Sequence, residues 1–300
     1  NYIQYYLQKM LIILLLSLII FIIIKTFKVY DFLNSEKILK CKNDYIRSMK
    51  SIVLFGAGNV ALHLCKAINN SKNFQVIQVY SKTKKTLDNF NLNIDKTNDL
   101  GTIKQASVYI IAISDDSIIE FSKKIPFKNR LVVHTSGSVG MSKLSGNNRR
   151  GVFYPLQTFT SNAKINFLEI PMCIEADNQE DLNVLEKLGR SISNNVQVVT
   201  STQREHIHLS AVIVNNFVNH LYHMGHDLLH HQSLTFDILK PLIIETASKI
   251  KTLRPFETQT GPARRNDLKT IEKQLHLLKD SPYQEIYKNI TNSILEKYKN

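Results

Sequence analysis

SIVLFGAGNVA, residues 51–61, joins a short β-branched apolar run to Gly56, Gly58 and Ala61 in G-x-G-x-x-A spacing, and the amphipathic stretch ALHLCKAI continues from Ala61. Each part has a mechanical role. Gly56 permits a tight turn, Gly58 lets the backbone approach a pyrophosphate, and Ala61 allows the following helix to pack closely on the strand while its N-terminus faces the phosphates. A glycine triplet alone is weak evidence, but between a strand and a helix it predicts a dinucleotide site. Asn59 and Val60, which complete the turn, join the two glycines as cofactor-binding candidates.

The next apolar run, FQVIQVY (residues 74–80), ends in Ser81, Lys82, Thr83, Lys84 and Lys85. NAD-selective sites place an acid here to accept from the ribose hydroxyls. An acid would repel a 2′-phosphate, whereas hydroxyl and ammonium groups attract one. Ser81, Lys82 and Thr83 therefore point to NADP(H), against the plain alternative of a solvated lysine loop. Two further strands, SVYIIAIS (107–114) and RLVVHTSG (130–137), flank the helix-like DSIIEFSKKI (116–125). This alternation predicts an α/β fold, a doubly wound parallel sheet of the Rossmann kind, with ligands beyond the carboxyl ends of the strands. Ser114 and Asp115 then fall on the cofactor rim, and His134, Ser136 and Gly137 on the substrate side. Helix capping by Asp115 or Asp116, and a strand-end structural role for His134, stay open. GVFYPLQTF (151–159), IPMCIEA (170–176) and VQVVT (196–200) read as further strands, with a helix over residues 179–193.

From about Thr202 the period becomes helical. In the long segment 202–231, Leu209, Ile213, Phe217, Leu221, Met224 and Leu228 repeat at three- and four-residue intervals and are expected to be core. Beside them His208, Asn216 and His220, eight and four apart, are expected along one side of the helix. Residues 237–253, 268–280 and 283–298 complete an all-helical region. The His230-His231 pair lacks a third ligand at suitable spacing, so no metal site is expected. In QTGPARRND (259–267), Arg264 and Arg265 form a candidate clamp for a carboxylate or phosphate, or else the loop simply starts a helix with Asn266 or Asp267 as cap.

The chain has 300 residues, 43% hydrophobic, enough for one large or two modest domains. Its formal charge of +13 carries no recognised nucleic-acid motif, and the excess of lysine over arginine with abundant Asn and Ile reflects composition, so nucleic acid is not expected as a partner. The three cysteines, Cys41, Cys65 and Cys173, form neither a disulfide framework nor a zinc pattern and fit a reducing compartment. Met10–Ile24 is almost wholly apolar, about 22 Å as a helix against a hydrocarbon core of about 30 Å. Residues 1–48 therefore stay open between a single-pass membrane anchor through residues 10–29 and upstream sequence outside the native product, because Met49 stands just before the first strand. Residues 49–200 are expected to form the cofactor domain and 201–300 the helical domain.

GAGNVA, ISDDSI, HTSGS, FYPLQTF, HLSAVIVNNFVNHLY, PLIIETASK and TGPARRND, in this order from residue 56 to 267, resemble the bacterial Rossmann-like proteins that carry a C-terminal helical domain of unknown function. That family is similar at fold level to NADP-dependent oxidoreductases of the pyrroline-5-carboxylate reductase and 6-phosphogluconate dehydrogenase type. The resemblance implies an NADP domain followed by an all-α domain of the 6-phosphogluconate dehydrogenase C-terminal type that dimerises and closes the active site. Val212 stands where related β-hydroxyacid dehydrogenases have a lysine four residues before the helix asparagine, here Asn216, so a lysine-based mechanism does not carry over. The expected activity is hydride transfer between NADP(H) and a small anionic carbonyl or imine compound in the cytoplasm. His208 or His220 would move the proton and Asn216 would hold the substrate oxygen. A non-catalytic NADP(H)-binding or sensing protein is the alternative.

Overall fold

Along β1 (Lys50–Phe55), Ile52 and Leu54 enter one core cluster while Val53 and Phe55 enter another, and all four are fully buried. A strand covered on both faces has to read as a continuous apolar run, as this one does. The structure, a computed structural model, describes Lys25 and residues 49–299. The expected anchor at Met10–Ile24 lies outside these residues. Among the described residues no helix is long and apolar enough to cross a membrane.

The strands β1, β2 (Phe74–Tyr80), β3 (Asp95–Thr97), β4 (Val108–Ile111), β5 (Leu131–His134), β6 (Arg149–Pro155), β7 (Met172–Ala176) and β8 (Val196–Val198) form one sheet in the order β3-β2-β1-β4-β5-β6-β7-β8. The first six follow the 3-2-1-4-5-6 order of doubly wound dinucleotide folds and are all parallel. The order reverses between β1 and β4, which opens a crevice at their carboxyl ends. β7 runs antiparallel to β6. The connection from β6 to β7 contains only one short 3-10 turn, Phe167–Glu169, and no crossover helix that could return the chain for parallel pairing.

Helices α1 (Asn59–Asn69) and α4 (Gln179–Ile192) cover one face of the sheet, through Leu64 and Ile68 and through Leu185 and Leu188. α3 (Asp115–Lys123) covers the other through Ile118. α2 (Lys84–Asp88) is a single turn after β2. α5 (Ser201–Ala211) leads through a π-helical turn, Val212–Phe217, into α6 (Val218–His230). Then come α7 (Lys240–Lys249), α8 (Pro255–Thr258), α9 (Leu268–Leu277) and α10 (Gln284–Lys297). The chain divides into two compact units, one ending at Leu209 and the other beginning at Ser210.

The apolar stripe of the long helical segment differs from expectation. Met224 is buried, but Leu209, Ile213, Phe217, Leu221 and Leu228 are exposed. Helical periodicity shows that a face must be covered and cannot say whether the same chain covers it. The π-helical turn also interrupts the regular step between His208 and Asn216 on which their expected alignment rests.

Candidate functional site

The glycine turn has the geometry its sequence requires. Gly56 has φ of +122°, and a Cβ built on it would lie 2.1 Å from the carbonyl oxygen of Ala112, so the turn after β1 is both left-handed and pressed against the end of β4. Its N–H donates to the Tyr80 carbonyl at 2.8 Å, fixing the turn to the end of β2. Gly58 precedes α1 in an extended conformation, and a Cβ there would meet nothing within 4 Å. Open space thus lies over the start of α1, which has no side-chain cap and no acid in its first turn. A helix N-terminus of this kind suits an anionic group. Asn59, the first residue of α1, donates to the Phe159 carbonyl at 3.1 Å and ties the turn to the segment after β6, while Val60 is half-buried against the core.

At the end of β2 the N–H of Ser81 donates to the Thr97 carbonyl at 3.1 Å, and Lys82 and Thr83 are exposed ahead of α2. β3, which the sequence reading missed, supplies that carbonyl. At the end of β4, Ser114 precedes α3 without capping it and donates to the Ser117 hydroxyl at 3.0 Å. Asp115 lies in the first turn of α3 and accepts from the Ser138 hydroxyl at 2.6 Å, so it ties the two strand-end loops together.

His134 is the last residue of β5. It is fully buried, and burial, followed by the field of Arg204, pushes its imidazole down to about 3. The ring is therefore neutral at ordinary pH. Its Nδ1 accepts from the Ser136 N–H at 3.1 Å, which leaves the hydrogen on Nε2, and this atom has no partner among the described residues. Ser136, also buried, accepts from the N–H groups of Ser138 and Val139 at 3.1 and 3.0 Å. Both residues shape the turn that presents Gly137.

A Cβ on Gly137 would lie 2.6 Å from Nδ1 of His208, so the absence of a side chain makes room for that imidazole. The same Nδ1 lies 3.1 Å from the Tyr154 hydroxyl at the end of β6. Burial, above all, pushes the Tyr154 phenol up to about 12. The phenol therefore keeps its proton and can donate to His208, leaving the imidazole hydrogen on Nε2. Beneath this pair, the fully buried guanidinium of Arg204 donates to the Glu175 carboxylate and to the Val139 carbonyl. Ser201 donates to Glu175 and its hydroxyl accepts from the Met141 N–H at 3.0 Å. This network clamps the 139–141 segment against the start of α5, and α5 in turn carries His208.

Tyr154, Glu175 and Arg204 escaped the sequence reading. Arg204 lies among polar neighbours that look like a solvated helix turn, and Tyr154 looks like an ordinary strand residue. Of the expected catalytic set, the structure joins His208 to the strand-end turns. Asn216, in the π-helical turn, and His220, in α6, belong to the second unit and are exposed. Also in that unit, Asp267 caps α9 by accepting from the Thr270 N–H at 3.1 Å. Arg264 stacks 4.4 Å over the Tyr298 ring, and both Arg264 and Arg265 line an open concavity of about 910 Å³ with Leu295 and Lys299.

The family described as Domain of unknown function (DUF2520) matches residues 170–294. A Bacteroides fragilis protein of solved structure, assigned as an NADP oxidoreductase, is 39% identical over 83% of this chain and 99% of its own, with a TM-score of 0.77. A Thermotoga maritima protein is 19% identical over 82% and 99%, with a TM-score of 0.69. An imine reductase from Streptomyces aurantiacus is 12% identical over 82% and 93%, with a TM-score of 0.62. The last two share the fold alone. No curated protein matches the chain.

Proposed function

The chain belongs to the family of the Bacteroides fragilis NADP oxidoreductase, and from that membership we propose that it transfers hydride between NADP(H) and a small anionic carbonyl or imine compound. The observation that carries this reading is the strained Gly56 turn leading into the open, uncapped and acid-free start of α1. Gly56, Gly58, Asn59 and Val60 would cradle the pyrophosphate, and Ser81, Lys82 and Thr83 would receive the 2′-phosphate. NADP(H) supplies the hydride when bound. The chain's own contribution is to orient the dinucleotide across the β1/β4 crevice and to exchange a proton with the substrate through His208. Ser114 and Asp115 would line the nicotinamide end, and Gly137 the substrate end.

Calorimetric titration tests the cofactor assignment. NADPH is expected to bind more tightly than NADH, and Lys82→Glu should weaken NADPH roughly tenfold or more, the loss of a charge-assisted contact, with NADH nearly unaffected. Failure to bind either dinucleotide at millimolar concentration would overturn the reading.

The functional form in this proposal is a homodimer. Ile213, Phe217, Leu221 and Leu228 are all exposed large apolar side chains at helical spacing, and a second copy is the occupant that the family resemblance implies. Phe217→Glu combined with Leu221→Glu is expected to shift the sedimentation coefficient from dimer to monomer. An unchanged coefficient, or a monomeric parent chain, would remove this part of the proposal. Arg264 and Arg265 are proposed to attract the anionic substrate. A cytoplasmic location goes with the same reading, since it depends on NADP(H) and leaves Cys65 and Cys173 as free thiols.

A further inference from the structure

Four imidazoles follow one another along one face of α6. Ring centres are 6.3 Å apart between His220 and His223, 6.4 Å between His223 and His226, and 6.0 Å between His226 and His230. Separations of three and four residues put side chains on the same side of a helix. Asp227 stands inside this row. Its Oδ2 lies 3.4 Å from His223 Nε2 and its Oδ1 3.2 Å from His226 Nδ1. The hydroxyl of Tyr283, the residue before α10, donates a short hydrogen bond to the same carboxylate. One ligand atom from each of His223, His226 and Asp227 lies within 4.8 Å of the other two.

We propose that His223, His226 and Asp227 form a binding site for a divalent first-row transition cation such as Zn²⁺. Two imidazoles and one carboxylate are the donor set that borderline cations of this class prefer. Bonds of about 2.0–2.2 Å need the donor atoms somewhat closer than they stand. Both histidine side chains are more than half exposed, at 60% and 52%, which leaves them room to turn toward the carboxylate. Tyr283 supplies what free surface carboxylates lack, a fixed outer partner that orients the oxygen toward the histidines. The remaining coordination positions would be filled by water. The expectation of no metal rested on His230-His231, a pair for which no third ligand at suitable spacing was read from the sequence. The usable set lies one turn earlier and includes a carboxylate.

The test is titration of the chelator-treated full-length chain, without an affinity tag, with Zn²⁺ by calorimetry, accompanied by thermal melts. One equivalent is expected to bind and to raise the melting temperature. His223→Ala and His226→Ala should each abolish both effects, and Tyr283→Phe should weaken binding roughly tenfold. His276→Ala, an exposed histidine on α9, should leave binding as it is. Because His223 and His226 are exposed, their variants should match the parent's circular dichroism. No submillimolar Zn²⁺ binding by the parent chain, or binding unchanged in His223→Ala and His226→Ala, would overturn the site.

Discussion

Arg204→Leu is expected to remove about 3–5 kcal/mol of folding stability, the cost of breaking a buried ion pair from one side. The guanidinium is wholly buried, and its two terminal nitrogens serve Glu175 and the Val139 carbonyl. Leucine fills much of the volume but leaves the Glu175 carboxylate, only 15% exposed, with Ser201 as its donor. It also leaves the Val139 carbonyl without this donor. The double variant Arg204→Leu, Glu175→Leu removes the stranded charge and should be clearly less destabilised than the single one, because the penalty comes mainly from the unpaired partner. Urea denaturation of the parent and both variants measures the difference. If the single variant matches the parent, the pair contributes nothing and the clamp on residues 139–141 has to be assigned elsewhere. If the clamp holds as argued, the single variant should also lose turnover before it unfolds, since α5 is what keeps His208 against Gly137.

The sequence carried the parts of this structure that depend on neighbours along the chain. Residues 51–61 specify strand, turn and helix through local rules, and the Gly56 turn adopts the positive φ that only glycine takes readily. The strands at residues 107–114 and 130–137 stood out because burial on both faces demands apolar runs, and residues 74–80 stood out through β-branched and aromatic residues despite Gln75 and Gln78. β3 did not, since Asp95, Lys96 and Thr97 have no apolar pattern, and their pairing with β2 rests on backbone bonds and on the Asp95 carboxylate accepting from the Gln78 side chain. The antiparallel turn of β7 was hidden for a similar reason: strand direction depends on the connection, and residues 156–171 look irregular in either case. Tyr154 and His208 are 54 residues apart and Arg204 and Val139 are 65 apart, separations at which no spacing rule operates. The candidate proton-transfer residue was therefore visible as a residue type, whereas its partner and its support became visible only once the sheet brought them together. The apolar stripe on α6 marks the opposite limit, because amphipathicity is the same whether the covering surface comes from this chain or from another.

His208→Ala is expected to lower kcat by about 10²–10⁴, the usual contribution of a positioned general acid–base group, while leaving NADPH affinity unchanged. The geometry separates the roles of its neighbours. Tyr154 holds its proton because burial raises the phenol to about 12, and donation to Nδ1 selects the tautomer with hydrogen on Nε2. Tyr154→Phe should therefore give a smaller loss, about tenfold, because the imidazole survives without its tautomer control. Gly137→Ala should act by another route. The added methyl would sit 2.6 Å from Nδ1 and displace the ring, so kcat should fall toward the His208→Ala value with the cofactor turn intact. The measurement is NADPH oxidation against a panel of small keto acids and imines, with NADPH binding followed in parallel by calorimetry. His220→Ala serves as the comparison, since that histidine lies on the same helical segment but makes its ring contact with His223. Full turnover in a chain lacking both His208 and His220 would show that proton transfer uses neither, and the Tyr154 to His208 hydrogen bond would then be structural. A loss confined to His208→Ala and Gly137→Ala, at constant NADPH affinity, would place the chemistry where β5 and β6 end.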